Sequence, residues 1–140
     1  MKNKGLIVLS GGQDSATTSL FARQECKELH GVTFDYGQKH SIEIEFAKQN
    51  ISYLADCGFN ISHQIINISD LVSILESSLT NDNLKVPEGH YLDKNMKSTF
   101  VPNRNAIFSS IIYAYAISIY KRTSEPVVLS LGVHSGDHLI

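Results

Sequence analysis

The chain has no tryptophan, only two cysteines and three prolines among its 140 residues, and charged side chains make up 19% of it. Cys26 and Cys57 stand far apart with no CxxC pair, which excludes a disulfide framework and a zinc knuckle and points to a reducing cytoplasm. Twelve Lys and Arg against fourteen Asp and Glu leave a net charge of −2, so no broad basic face marks a nucleic-acid binder. Long apolar runs are missing as well. The run Leu6 to Leu9 meets Ser10-Gly11-Gly12, not a secretory core, and the charge-free stretch 105–120 carries three serines. It falls short of the roughly 20 apolar residues of a membrane-spanning helix. What is present is 42% apolar content, enough to close one core. No repeat, low-complexity tract or linker divides residues 1–140, so a single domain is expected.

Strand and helix signals alternate along the chain. Leu6-Ile7-Val8-Leu9 reads as a central strand buried on both faces, and Asp14 to Cys26 as a helix with Ala16, Leu20 and Arg23 at helical spacing. His30 to Tyr36 is β-branched and aromatic, a second strand. Ser41, Glu43 and Glu45 open a helix whose Ile44, Ala47, Ile51, Leu54 and Ala55 share a face, closed by Cys57-Gly58. Ser62 to Ile68 alternates weakly and suits a third strand near an edge. Asp70 is a candidate N-cap for a short helix through Glu76, followed by a long polar loop, 77–99. Asn103 or Arg104 starts an apolar helix to about Tyr120, Glu125-Pro126 breaks it, and Val127 to Val133 is a fourth strand. Such an order implies a parallel, doubly wound α/β sheet.

Between the first strand and first helix lies Ser10-Gly11-Gly12-Gln13-Asp14-Ser15, the position at which open α/β sheets bind anions. It is neither a Walker A loop, having no GK[ST], nor GxGxxG. Two glycines, two hydroxyls and a helix N-terminus suit phosphate or pyrophosphate. The plainer alternative is a strand-to-helix turn with Asp14 or Ser15 as N-cap.

That string resembles the pyrophosphate loop of the ATP pyrophosphatase (PP-loop) superfamily, whose members cleave ATP between its α and β phosphates. Phe34-Asp35-Tyr36-Gly37-Gln38-Lys39-His40 with Glu43, Thr99 to Asn105 (TFVPNRN) and Gly132 to His138 (GVHSGDH) narrow the resemblance to the 7-cyano-7-deazaguanine synthase family. It implies a Rossmann-like three-layer α/β/α sandwich. It also implies an ATP-dependent ligase of queuosine biosynthesis that converts 7-carboxy-7-deazaguanine and ammonium to the nitrile by carboxylate adenylation. Mg²⁺ would accompany the ATP.

On this resemblance the cofactor-binding set is Leu9, Ser10, Gly11, Gly12, Gln13, Asp14, Ser15, Ala16, Thr17 and Thr18, continuing with Phe34, Asp35 and Tyr36. Ser10 and Ser15 reach phosphate oxygens, and the glycines allow close backbone approach. Asp14 is either a loop-stabilising cap or an indirect Mg²⁺ partner, and Asp35 could hold Mg²⁺; for Tyr36 ordinary core packing is the alternative. Asp14, Lys39 and Arg104 form the catalytic set: Lys39, with His40 beside it, to neutralise the leaving group, and Arg104 to grip phosphate or carboxylate. A solvated helix entrance competes at Lys39 and His40, and a helix cap at Arg104. Substrate contacts fall to Asn103, Arg104, Asn105, His134, Asp137 and His138. Gly136 breaks the helical spacing of His134 and His138, so no zinc site is read there. His30, His63 and His90 read as surface or satisfied core histidines.

Family members continue into a C-terminal segment with four zinc-binding cysteines, none of which this sequence contains, so Zn²⁺ ligands are expected only in a full-length protein and no metal ligand here. The 140 residues are therefore expected to be a fragment or truncated product with an incomplete active site, cytoplasmic, contacting neither nucleic acid nor membrane. An open fourth strand and a bare apolar helix face would favour a homodimer. Competing readings are another PP-loop enzyme, such as a tRNA thiolase or an amidotransferase synthetase subunit, or a non-catalytic ATP-binding module. The net charge and the two separated cysteines speak against the thiolase.

Overall fold

A computed structural model describes residues 3–37, 42–75 and 103–132. Four parallel strands, β1 (Asn3–Val8), β2 (Cys26–Asp35), β3 (Ile61–Asn67) and β4 (Val127–Ser130), form one sheet in the order β3-β2-β1-β4. Between them run α1 (Gln13–Glu25), α2 (Ile42–Asp56), the single turn α3 (Ser69–Val72) and α4 (Arg104–Thr123). Alternation along β1 divides the interior, because successive side chains leave a strand on opposite faces. Leu6 joins Val32, Phe34 and the α4 residues Phe108 and Ile112, whereas Ile7 joins Leu29 and Ala22 of α1, with Ile51 of α2 packed alongside. Both leucine and isoleucine are fully buried. Helices thus cover both faces, a doubly wound α/β fold, with β1 inside the sheet and β3 at an edge. Among the described residues no helix is long and apolar enough to cross a membrane.

Several boundaries and faces differ from the sequence expectation. β2 begins at Cys26, directly after α1, not at His30. Its first residues are held by ion pairs, Lys4 Nζ to Glu28 Oε2 at 2.6 Å and Lys27 Nζ to Glu125 Oε1 at 2.6 Å, which allow a polar segment to serve as strand. The buried face of α1 is Ser15, Ser19 and Ala22, not Ala16, Leu20 and Arg23, and Leu20 is 50% exposed. Ser19 tolerates burial because its hydroxyl donates to the Ser15 carbonyl at 2.9 Å. Ala55 is exposed, while Ala47 and Leu54 carry the buried face of α2. Asp70 is not an N-cap: α3 follows Ile68, and the Asn67 side chain accepts the Ser69 N–H at 2.9 Å instead. That helix ends at Val72, short of Glu76. β4 spans four residues and stops at Ser130; Val133 and the loop 77–99 lie outside the described residues.

Two half-buried histidines link the fold to pH. His30 accepts or donates a 2.7 Å bond at Ser62 Oγ, and burial pushes its pKa down despite Glu28 nearby. His63 is likewise depressed by burial, with Lys48 adding to it. A histidine that resists protonation in the fold and not in the unfolded chain makes the unfolded state bind more protons. Stability is therefore full above the ordinary value of 6.5 and declines as pH falls through it. Urea melts between pH 7.5 and 5 should show this decline, and His30→Gln with His63→Gln should flatten it; an unchanged slope in the double variant contradicts the assignment.

Candidate active site

The strand order fixes where a ligand can enter. From β1 the chain proceeds outward to β2 and β3, then returns to place β4 on the other side of β1. Helices leaving β1 and approaching β4 lie on opposite faces, so a crevice opens at the carboxyl ends of these strands, the switch point of a doubly wound sheet. A cleft of about 180 Å³ lies there, walled by Val8 of β1 and Leu9 just after it, Thr33 and Phe34 from β2, and Leu131 and Gly132 after β4.

The loop leaving β1 forms its floor. Gly11 has φ +82°, and a Cβ there would lie 2.4 Å from the Glu43 carbonyl oxygen. Only glycine meets both demands, the left-handed backbone and the approach to α2. Gly12 is the N-cap of α1 and has no side chain to cap it. The helix therefore begins without a capping side chain at its N-cap, and the partial positive charge of a helix N-terminus attracts anions. Neither Asp14 nor Ser15 is the cap, which removes that reading of both residues. Ser15 Oγ donates to the Gly12 carbonyl at 3.0 Å. Its contacts with Ser10 N–H and Ser10 Oγ are 3.3 and 3.4 Å, and Gly12 N–H reaches Ser10 Oγ at 3.4 Å. Bonds so long are weak, and the loop can exchange them for a ligand's oxygens at little cost.

The opposite wall comes from α4. Arg104 heads this helix, and Phe108 follows one turn later on the same side. The Phe108 ring stacks on Phe34 at 4.2 Å and 9°, and meets Tyr36 at 5.8 Å, tilted 48°. Burial pushes the Tyr36 phenol up and the Glu43 carboxylate adds to the rise, while the charge of Arg104 and a hydrogen bond from its guanidinium oppose it. A cation, a neutral phenol and a carboxylate thus converge on one side of the cleft, with hydroxyls and helix N–H groups on the other.

Of the residues singled out in the sequence, Leu9, Ser10, Ser15, Phe34, Tyr36, Arg104 and Asn105 line the cleft. Gly11 and Gly12 shape the loop from outside the lining. Gln13, Asp14, Ala16, Thr17 and Thr18 belong to the first turns of α1 but do not line it, and the Thr17 and Thr18 hydroxyls donate to the Gln13 and Asp14 carbonyls at 2.9 and 2.8 Å. Asp35 lies off the lining, its carboxylate accepting the Gly37 N–H at 3.3 Å. Asn103, in the left-handed region at φ 56°, precedes α4 and is exposed. Lys39, His40, His134, Asp137 and His138 lie outside the described residues. Val8, Thr33, Glu43, Phe108, Leu131 and Gly132 line the cleft and were not foreseen as site residues. For Phe108 a signal existed, its position four residues after Arg104. Among the described residues no group of three or more His, Cys, Asp or Glu could hold a metal ion.

Fold and cleft define a parallel α/β protein with a glycine-containing strand-to-helix loop at its switch point. The family model described as queuosine biosynthesis protein QueC matches residues 4–137, and the chain belongs to that family. It is 43% identical over 138 residues to the 7-cyano-7-deazaguanine synthase of Hahella chejuensis, covering 99% of this chain and 55% of that protein. Proteins of the same name from Caldicellulosiruptor saccharolyticus and a Marinomonas species are each 41% identical, over 98% and 100% of this chain and 56% and 59% of their own lengths. The chain therefore spans a little over half the length of these relatives.

Gly132 gives the most direct test of the cleft's construction. A Cβ on it would lie 2.7 Å from the Asp14 carbonyl carbon and oxygen and 2.8 Å from Ser15 N, all backbone atoms that cannot swing aside. Gly132→Ala should displace the start of α1, lowering stability by about 1–3 kcal/mol and weakening any binding of Mg·ATP at the cleft. Calorimetric titration and urea melts check this, and an alanine variant matching the parent in both refutes the close approach.

Proposed function

We propose that the cleft binds ATP with its pyrophosphate end on Ser10, Ser15 and the N-terminus of α1. On this reading the chain supplies the nucleotide site of an ATP-dependent carbon–nitrogen ligase that converts 7-carboxy-7-deazaguanine and ammonia to 7-cyano-7-deazaguanine. The observation that carries the proposal is the joining, in one cleft at the switch point, of a helix start capped by no side chain, the weakly tethered Ser10 hydroxyl and the Arg104 guanidinium. The names and identity levels of the relatives support the choice of substrate.

The chemistry suits these groups. A carboxylate is a poor electrophile, and transfer of AMP to it supplies a leaving group while pyrophosphate departs. Donors fixed before the reaction stabilise charge that grows on the departing β-phosphate. Ammonia then displaces AMP to give the amide, and a second activation at the amide oxygen removes that oxygen to leave the nitrile. Ser10, Ser15 and the first-turn N–H groups hold the pyrophosphate, Arg104 balances its charge, and the Phe34–Phe108 wall offers an apolar flank to a planar base.

Mg²⁺ commonly rides on phosphate oxygens with one or two carboxylates. Asp14, in the first turn of α1, and Asp35, at the end of β2, lie near the loop but line no part of the cleft, and Asp35 bonds to the Gly37 N–H, so neither is assigned as a metal ligand. Zinc does not fit the described residues, since Cys26 is buried at the start of β2 and Cys57 is exposed beyond α2. Calorimetry of the chain with Mg·ATP should give saturable binding, with Arg104→Ala raising Kd about tenfold for one lost charged contact. The chain extended by a relative's remaining length should release pyrophosphate when 7-carboxy-7-deazaguanine is added. Absence of ATP binding, or release indifferent to that substrate, overturns the proposal.

A further inference from the structure

At its carboxyl end the β1–β2 ladder is joined by side chains. Leu9 N–H donates to the Val32 carbonyl at 2.7 Å, continuing the parallel pattern one residue past β1. A side chain then joins the ladder: Thr33 Oγ1 donates to the Leu9 carbonyl at 2.8 Å. Thr33 is 2% exposed, lines the cleft, and sits beside the residue from which the phosphate loop departs. A third strand joins in, for His63 Nε2 of β3 lies 2.7 Å from the same hydroxyl.

Proton counting orders the chain of bonds. The Leu9 carbonyl can only accept, and a threonine hydroxyl has one proton to give. Both contacts are satisfied only if Thr33 donates to Leu9 and His63 donates from Nε2–H to Thr33. Histidine then fixes the hydroxyl rotor from one side while the hydroxyl fixes the last carbonyl of β1 on the other. Burial favours the neutral ring, so a single tautomer is held.

We propose that Thr33 and His63 are positioning residues for nucleotide binding: a hydrogen-bond relay across β3, β2 and β1 sets the direction in which the Ser10–Ser15 loop leaves the sheet. The proposal rests on the nucleotide reading for its consequence and on geometry alone for the relay. Thr33 touches no phosphate in this account, since its proton is committed to Leu9. Its loss rotates the Leu9 carbonyl and, with it, the Ser10 N–H and hydroxyl.

The test combines affinity and tautomer. Thr33→Val should weaken Mg·ATP binding by about five- to tenfold, and Thr33→Ser should restore it. His63→Leu should give a smaller loss, His63→Gln should recover it by keeping an N–H donor, and Thr33→Val/His63→Leu should be no worse than Thr33→Val, because one relay is cut twice. Additive losses, or a serine variant as weak as valine, overturn the proposal. Long-range proton–nitrogen NMR of the parent should show His63 protonated at Nε2, and Thr33→Val should shift the amide signals of Ser10, Gly11 and Gly12. A protein that fails to bind ATP but shows both spectral results loses the function and keeps the relay. An Nδ1–H tautomer, or unmoved loop amides, removes the relay whatever the affinity. If Thr33→Val does not fold, the His63 pair and the parent's tautomer decide the matter.

Discussion

The start of α1 is held between two backbones with no room for a side chain on either. Gly11 lies against the Glu43 carbonyl in the first turn of α2, and Gly132, after β4, lies against Asp14 and Ser15. Three elements distant in sequence meet at this point, and each limits the others. α2 cannot move inward without striking the loop, and β4 cannot twist without moving the helix whose N–H groups face the cleft. Glu43 enters the site for the same reason. Its carbonyl is fixed against Gly11, so its side chain is placed at the cleft by a contact made by its own backbone.

This contact separates what the sequence could disclose from what it could not. The strand-loop-helix at Leu6 to Cys26 was legible because its signals are local: a short aliphatic run, two glycines, two hydroxyls and a helical stretch. Arg104 was legible as an arginine at a helix start, where the dipole gives it no structural reason to be. The buried face of α1 was not. Ser15 and Ser19 are polar by type, yet Ser19 bonds to its own helix and occupies little more space than alanine. Leu20 and Phe21, the residues that hydrophobicity selects, are 50% and 66% exposed.

Thr33 and Gly132 were missed for a related reason. Thr33 reads as an ordinary β-branched strand residue, and its value lies in a carbonyl 24 positions earlier and a histidine 30 positions later. Gly132 reads as part of a polar motif, whereas its described contact is with α1, more than a hundred residues away. Contacts of such separation leave no period or spacing in the chain. They are set by the order of strands, which side-chain patterning alone does not dictate.

Charge is divided between the two edges of the sheet. At the amino edge Lys4, at the start of β1, pairs with Glu28 of β2 and with Glu125 ahead of β4, and Glu125 also takes Lys27. These pairs are partly exposed and each contributes little, but they hold the two carboxylates ionised: Glu28 and Glu125 are lowered chiefly by hydrogen bonds from Lys4 and Lys27 respectively. The edge is close to self-neutralised and has little charge left for a ligand. At the carboxyl edge the situation differs. Arg104 donates to the Tyr36 phenol, an oxygen that burial keeps neutral, so that this bond orients the guanidinium in the cleft that the Glu43 carboxylate also lines. The buried phenol therefore fixes Arg104 without adding a second carboxylate to a cleft that Glu43 already lines, in a chain whose overall net charge is −2.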